Sequence, residues 1–278
     1  GDCETALELA TRATVEARKP QYNQLPQRIC LHEDLIGAYL YSDPAGYAAQ
    51  LREALDYMER EIGPDYECRL CLKSKQASFA FCLDRIDEAF DLAQNFLAMS
   101  QQSAHHTASA LTHLCEIAYR RQDFKSLSEW AAAGEVAAHK SGAKRPFVEF
   151  LAWQAAAARR KGDDKQAAIF YQSAVAQASQ LGAILDTAYY DALIDYHESA
   201  GELEPALRLR ERELNGLIGK GQTYAECQCR LKRLRLMARL GKPFTGELAD
   251  AREAASRLRN PAPVLEQLDQ IDAHNPSA

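Results

Sequence analysis

Eight cysteines, seven histidines and thirty-nine carboxylates are the groups of this chain most able to do chemistry, and their spacing restricts what that chemistry is. Cys68-x-x-Cys71 and Cys227-x-Cys229 are spaced like zinc ligands, and structural zinc needs four converging donors, usually two tight pairs held by turns. Both pairs fall in helical text about four repeat units apart, and in an array where only adjoining layers touch they do not share an ion. The strand–helix–strand surroundings of a thioredoxin-like motif are missing around Cys68 and Cys71. His106 and His113 share a helical face beside His105, but no carboxylate or third histidine completes a ligand set at matching spacing. The expectation is therefore no metal and no cofactor. Asp191, Asp195 and Glu198 follow one another at three and four residues, which puts them on one face of a helix. As acid–base partners, Asp191 and Asp195 require a closed, desolvated cavity. A Gly-x-Ser-x-Gly elbow, a phosphate loop, His-Glu-x-x-His and a dinucleotide fingerprint are all absent from the sequence, so no catalytic residue is assigned.

These groups sit on helices, and a recurring phrase sets where the helices turn. It reads Gly1-Asp2-Cys3-Glu4-Thr5-Ala6, Gly162-Asp163-Asp164-Lys165-Gln166-Ala167 and Gly201-Glu202-Leu203-Glu204-Pro205-Ala206. Looser copies begin at Asp84, Gln122 and Gly241, and Ser42-Asp43-Pro44 fills the remaining slot, so the copies start 38 to 42 residues apart. Self-similarity at such a period marks a stacked-repeat architecture in which each unit buries its apolar face against its neighbours alone. Between copies, Ala104, Ala108, Leu111, Leu114, Cys115 and Ala118 recur at helical spacing, and Leu127, Trp130, Ala131 and Ala137 form a second stripe after the turn. Each unit is thus two antiparallel helices. The glycine of the phrase permits the left-handed close of the first, and the following acid suits the start of the second. Proline placement agrees: Pro44, Pro205 and Pro243 fall in these turns, Pro64 and Pro146 between units, and Pro20, Pro26, Pro261 and Pro263 in outer connections.

The unit at 143–182 resembles a tetratricopeptide repeat, with Ala155 and Ala158 before its Gly162 and Ala167, Tyr171 and Ala174 after it. The unit at 103–142 matches with Leu111, Leu114, Cys115 and Ala118, then Leu127, Ala131 and Gly134. The family period is about 34 residues, so this chain resembles the long-repeat variants of bacterial regulators. The resemblance implies an all-α, right-handed superhelix (an α-solenoid) of antiparallel helix pairs, whose first helices line a concave groove. Counting back from the turn glycines places Asp191, Asp195 and Glu198, then Glu149 and Arg159, then Thr112, Glu116 and Tyr119 in that groove. The result is an acidic trough with one arginine and some hydroxyls, suited to a basic or amphipathic peptide. Tyr189, Tyr190, Tyr196 and His197 crowd the same helix and read as packing between repeats.

One helical-repeat domain over 1–278 is expected, in units near 27–63, 64–102, 103–142, 143–182, 183–220 and 221–260, with a terminal helix at 264–273 and a disordered tail from His274. Residues 2–19 align with the second helix of a pair whose first is missing, the pattern of a chain cut from a longer protein. The net charge of −6 disfavours nucleic acid. The one basic run, Arg230, Lys232, Arg233, Arg235 and Arg239, is spread around its helix and reads as a solvated face pairing with acids. No apolar run approaches the roughly twenty residues that span a bilayer, and no basic-then-apolar leader opens the sequence. Cysteines set among alanines and leucines fit a reducing cytoplasm. The expected role is a non-catalytic scaffold that binds a protein or peptide, the interaction or sensory region of a larger regulatory protein. The alternatives are a regulator whose superhelix changes pitch on binding, and an α-helical enzyme with a carboxylate-lined cavity.

Overall fold

In the computed structural model, residues 3–23, 25, 27–63, 68–181 and 186–273 are described, and among them there are helices and turns but no strand. Gly1 and Asp2 of the first phrase copy, Pro26, Pro64 and the tail from His274 lie outside the described residues. The phrase does what its residue types dictate. Gly162, Gly201 and Gly241 take φ of 81°, 76° and 65°, and at the same slot Asp84 and Gln122 are forced to 58° and 57°. Each is followed by the same two bonds: Asp123 N–H donates to Ala118 O at 2.9 Å and Gln122 N–H to Tyr119 O at 3.0 Å, with matching pairs after Ala80, Ala158, His197 and Met237. That is the Schellman close, which satisfies carbonyls left open at a helix end. The next acid caps the second helix, as Asp123 Oδ1 accepts from Ser126 N–H and Asp163 Oδ1 from Gln166 N–H, each at 3.1 Å. Every described proline lies in a connection between helices, a 3₁₀ turn, or the cap or first turn of a helix.

The chain gathers into two compact units, Ile86–Glu213 and Gly1–Arg85 with Leu214–Ala278. The first helix, α1, spans Cys3–Ala17, followed by α2 at Gln27–Ser42, α3 at Ala48–Glu61 and α4 at Cys68–Cys82. Then come α5 at Ile86–Met99, α6 at Ala104–Arg120, α7 at Phe124–Ser141, α8 at Lys144–Arg160, α9 at Asp164–Leu181, α10 at Thr187–Glu198 and α11 at Leu203–Leu217. The last three are α12 at Thr223–Arg239, α13 at Thr245–Ser256 and α14 at Ala262–Asp272.

Within Ile86–Glu213, α8 is the central element: it packs on α6, α7, α9 and α10, and every residue from Val148 to Ala158 is buried. Its alanines let neighbours approach closely. Against α7 the approach is closer still, because a Cβ on Gly134 would stand 2.3 Å from the fully buried Phe150 ring. Tyr189, Tyr190 and Tyr196 are buried, and Tyr196 stacks on Tyr171 at 4.6 Å, so this aromatic group is core.

In the other unit, α1 lies along α2, covering Ile36 and its neighbours. The sequence argument that only adjoining layers touch fails here. The first pair meets the C-terminal helices, with α2 against α12. Asp43, 3% exposed, accepts from Gly46 N–H at 2.9 Å and from Asn260 N–H at 2.8 Å, while Arg259 lies 5.1 Å over the Tyr47 ring. The Ser42-Asp43-Pro44 copy of the phrase thus holds the far end of the chain instead of closing a helix left-handed. It also follows that Cys68 and Cys71 share a unit with Cys227 and Cys229, and distance along the array is not what separates them. Among the described residues no three His, Cys, Asp or Glu converge as a metal site.

Candidate functional site

Three consecutive first helices, α6, α8 and α10, lie in one unit with α8 against both others, and they gather most of the polar groups singled out in the sequence. At one end, Asp195 is 3% exposed and is gripped by Arg160, whose Nε donates to Oδ2 at 3.0 Å and whose Nη2 donates to Oδ1. The two-pronged fit satisfies both carboxylate oxygens, which a buried acid requires. The Tyr119 hydroxyl lies 3.5 Å from the same Oδ1, and its ring packs 4.8 Å from Trp153. Burial, then the Asp195 and Asp191 carboxylates, keep that hydroxyl protonated far above its ordinary range. Beside it, the buried Arg210 donates to the half-buried Asp191 Oδ1 at 2.7 Å and to the buried Glu213 Oε2, forming an acid–base–acid chain.

Farther along the same helices the pairing stops. Glu149 is 4% exposed, Trp153 is 1% exposed, and they stand one turn apart on α8. Neither Glu149 Oε1 nor Trp153 Nε1 has a hydrogen-bond partner among the described residues. Around the Glu149 carboxyl are Asp186, at the N-cap of α10, and Glu116 on α6, with Arg145 opposing them. Burial, then Asp186 and Glu116, push the Glu149 carboxyl up to about 8. The Glu149 carboxyl therefore holds its proton beside Asp186 at neutral pH. His113 Nδ1 stands 3.7 Å from Glu116 Oε2 on the outer side of the group.

The sequence-derived set is therefore partly drawn together. Tyr119 and Asp195 touch; Asp191 lies beside them through Arg210; Glu198 is half-buried near Tyr119 and Arg160; Glu116 and Glu149 meet at the second centre. Thr112 is half-buried and donates to Ala108 O at 3.2 Å, within its own helix. Arg159 turns away to Asp164 Oδ1 at 2.7 Å and stacks 5.0 Å from Tyr196; its neighbour Arg160 is the arginine that reaches Asp195. One residue is about 100° around a helix, so a count wrong by one reverses the choice. Arg160, Arg210, Glu213, Trp153 and Asp186 escaped the sequence argument. Only the Arg210-x-x-Glu213 spacing carried a local signal, as an i,i+3 pair.

The trough is not a solvated acidic surface. Asp195 and Glu149 are buried, and arginine neutralises the first. In the other unit, a polar cleft of about 240 Å³ is lined in part by Glu226, Arg230, Asp250 and Arg257, with Glu226 bound by Arg230 and Arg257 at 2.9 Å each. Within the basic run, Arg233 meets Glu247 and Arg235 meets Gln267.

No family model matches the chain, and no curated protein matches it in sequence. Among solved structures it is similar to a Rap protein complexed with competence and sporulation factor, at a TM-score of 0.62 and 13% identity over 97% of this chain and 80% of that one. Helix pairs closed by one repeated turn, with that similarity along nearly their whole length, make this an all-α, tetratricopeptide-repeat-like fold.

Proposed function

We propose that the chain is a non-catalytic binding scaffold, the cytoplasmic interaction or sensory region of a larger regulatory protein, which takes a protein or peptide segment against α6, α8 and α10. The observation that carries this reading is a buried acceptor and a buried donor one turn apart on α8. Asp195 and Asp191 have dedicated arginines, whereas Glu149 Oε1 and Trp153 Nε1, an acceptor and a donor one turn apart, have no partner among the described residues. Leaving such groups unpaired costs roughly 1–3 kcal/mol each, a cost that a chain offering its own donors and acceptors would remove. Similarity in fold to a Rap protein crystallised with another factor supports a binding role by analogy. Free thiols at all seven cysteines whose side chains are described fit a reducing compartment.

The enzyme alternative has one observation in its favour, the protonated Glu149 carboxyl. Cys115, a nucleophile near Glu149, is fully buried and its thiol is held well above its ordinary range, chiefly by burial, which makes it inert. Binding is tested by selecting peptides from a random library on the immobilised protein and mapping their photo-crosslinks by mass spectrometry. Crosslinks on α6, α8 and α10 are expected. Crosslinks confined to other helices, or no enriched sequence at all, would refute the reading.

A further inference from the structure

We propose that Glu149, Glu116 and Asp186 form a receptor for one cationic group of the bound segment, an ammonium or a guanidinium, with Trp153 Nε1 left to donate to a neighbouring carbonyl. The inference rests on the reading that the α6–α8–α10 face takes a ligand, and it states what that ligand must carry.

Elsewhere in this unit the buried acids Asp195 and Glu213 are each met by an arginine in hydrogen-bond contact, Arg160 and Arg210, and the half-buried Asp191 also meets Arg210. Glu149 is as buried as Asp195 and Glu213, at 4%, yet the group that its carboxyl points to is another carboxyl, Asp186, with Glu116 close by. The groups facing it are Asp186 from the start of α10, Glu116 and the neutral Cys115 from α6, and Arg145 from the first turn of α8, with His113 beyond Glu116. Three carboxyls thus face one arginine and one histidine. Without a ligand, the site is kept near neutrality by the proton that the raised Glu149 carboxyl holds. Asp186 is exposed and Glu149 is not, so the group runs inward from the surface.

A cation entering there takes the place of the Glu149 proton. The acid dissociates, the proton passes to solvent, and both carboxylates then face the positive group, so one proton leaves for each cation bound. The same exchange makes affinity rise about tenfold for each pH unit between about 6 and 8 and level off above. Trp153, one helical turn or about 5–6 Å along α8, suits the carbonyl of an amide attached to that cation.

The experiment uses the full chain with N-acetyl-arginine amide and N-acetyl-lysine amide as probes and N-acetyl-citrulline amide as the neutral control. The indole N–H resonance of Trp153 is followed by NMR, assigned through a Trp130→Phe variant. Calorimetry in two buffers of different ionisation enthalpy counts protons. We expect the cationic probes to shift the Trp153 resonance saturably, citrulline amide to leave it unmoved, and close to one proton to be released at pH 6.5. Glu149→Gln should abolish the shift, and Asp186→Asn, at an exposed position, should weaken it severalfold. The balance between the arginine and lysine probes shows which cation the site prefers. Equal response to citrulline amide, an unchanged response in both variants, or no response between pH 6 and 9 would overturn the proposal. If library peptides still crosslink to α8 while these probes fail, the scaffold reading stands and the cation receptor alone is refuted.

Discussion

Replacing Glu149 by Gln tests whether the buried carboxyl of α8 is held protonated, and its effect should change with pH. Glutamine keeps the shape of the side chain and cannot ionise. In the native protein, burial followed by Asp186 and Glu116 raises the Glu149 carboxyl from an ordinary 4.5 to about 8. An acid raised in this way binds its proton more tightly folded than unfolded. Stability is therefore greatest below about 4.5, falls as the unfolded chain ionises first, and levels off above about 8. At 1.36 kcal/mol per pH unit that interval amounts to about 5 kcal/mol, an upper bound because relaxation and water entry soften the penalty of a buried ion. Urea denaturation of both proteins between pH 5 and 9 is the assay. The two should be nearly equally stable at pH 5, with Glu149→Gln gaining several kcal/mol on the wild type by pH 8.5. Stability curves that stay parallel across that range would show that Glu149 ionises normally, and the reading of a proton held on Glu149 would fail with it.

Three further outcomes follow from packing and pairing. Gly134→Ala puts a methyl 2.3 Å from the Phe150 ring, which is fully buried and has nowhere to move, so a loss of about 1–3 kcal/mol is expected in thermal unfolding, with part of it restored by Phe150→Leu in the same chain. Asp43→Ala deprives the Gly46 and Asn260 amides of their acceptor and should cost about 1.5–3 kcal/mol for each charged bond; hydrogen exchange should speed up around Asn260 and remain unchanged at Gly162. His32 is fully buried, accepts from Arg18 Nε at 3.3 Å, and is held neutral first by burial and then by Arg18 and Arg28, with Glu61 opposing them. Its contribution is complete above about 6.5 and declines as pH falls toward its lowered folded value, so His32→Gln should flatten the acid limb of the stability profile; an unchanged limb would assign that limb to other groups.

The candidate site was legible in type more than in detail. Tyr119, Asp191, Asp195 and Glu149 could be placed on the first helices of their pairs because helical spacing and the turn glycines fix a register to within one residue. That one residue was enough to choose Arg159 over Arg160, because neighbours on a helix point about 100° apart. The partners Arg210 and Glu213 lie on a second helix, where the sequence offered no reason to look for groups that complete a site on the first. Nor could the sequence tell a solvated acid from a buried one. Asp195 and Glu198 are spaced alike, yet one is 3% exposed and paired while the other remains half-buried.

The sequence by itself determined the repeat. Backbone chemistry is local: a left-handed residue followed by a capping acid specifies a turn whatever surrounds it, which is why Asp84 and Gln122 adopt the conformation that Gly162 takes without strain. The argument from period to stacked layers then assumed that contacts stay between neighbours, and there the tertiary structure decided otherwise. Asp43 meets Asn260 across 217 residues, and α2 meets α12, through bonds with no local signature. The same holds for charge. Composition gives the number of carboxylates, but whether each one holds an arginine, a proton or a vacant lone pair depends on which helices lie side by side and how deeply they bury it.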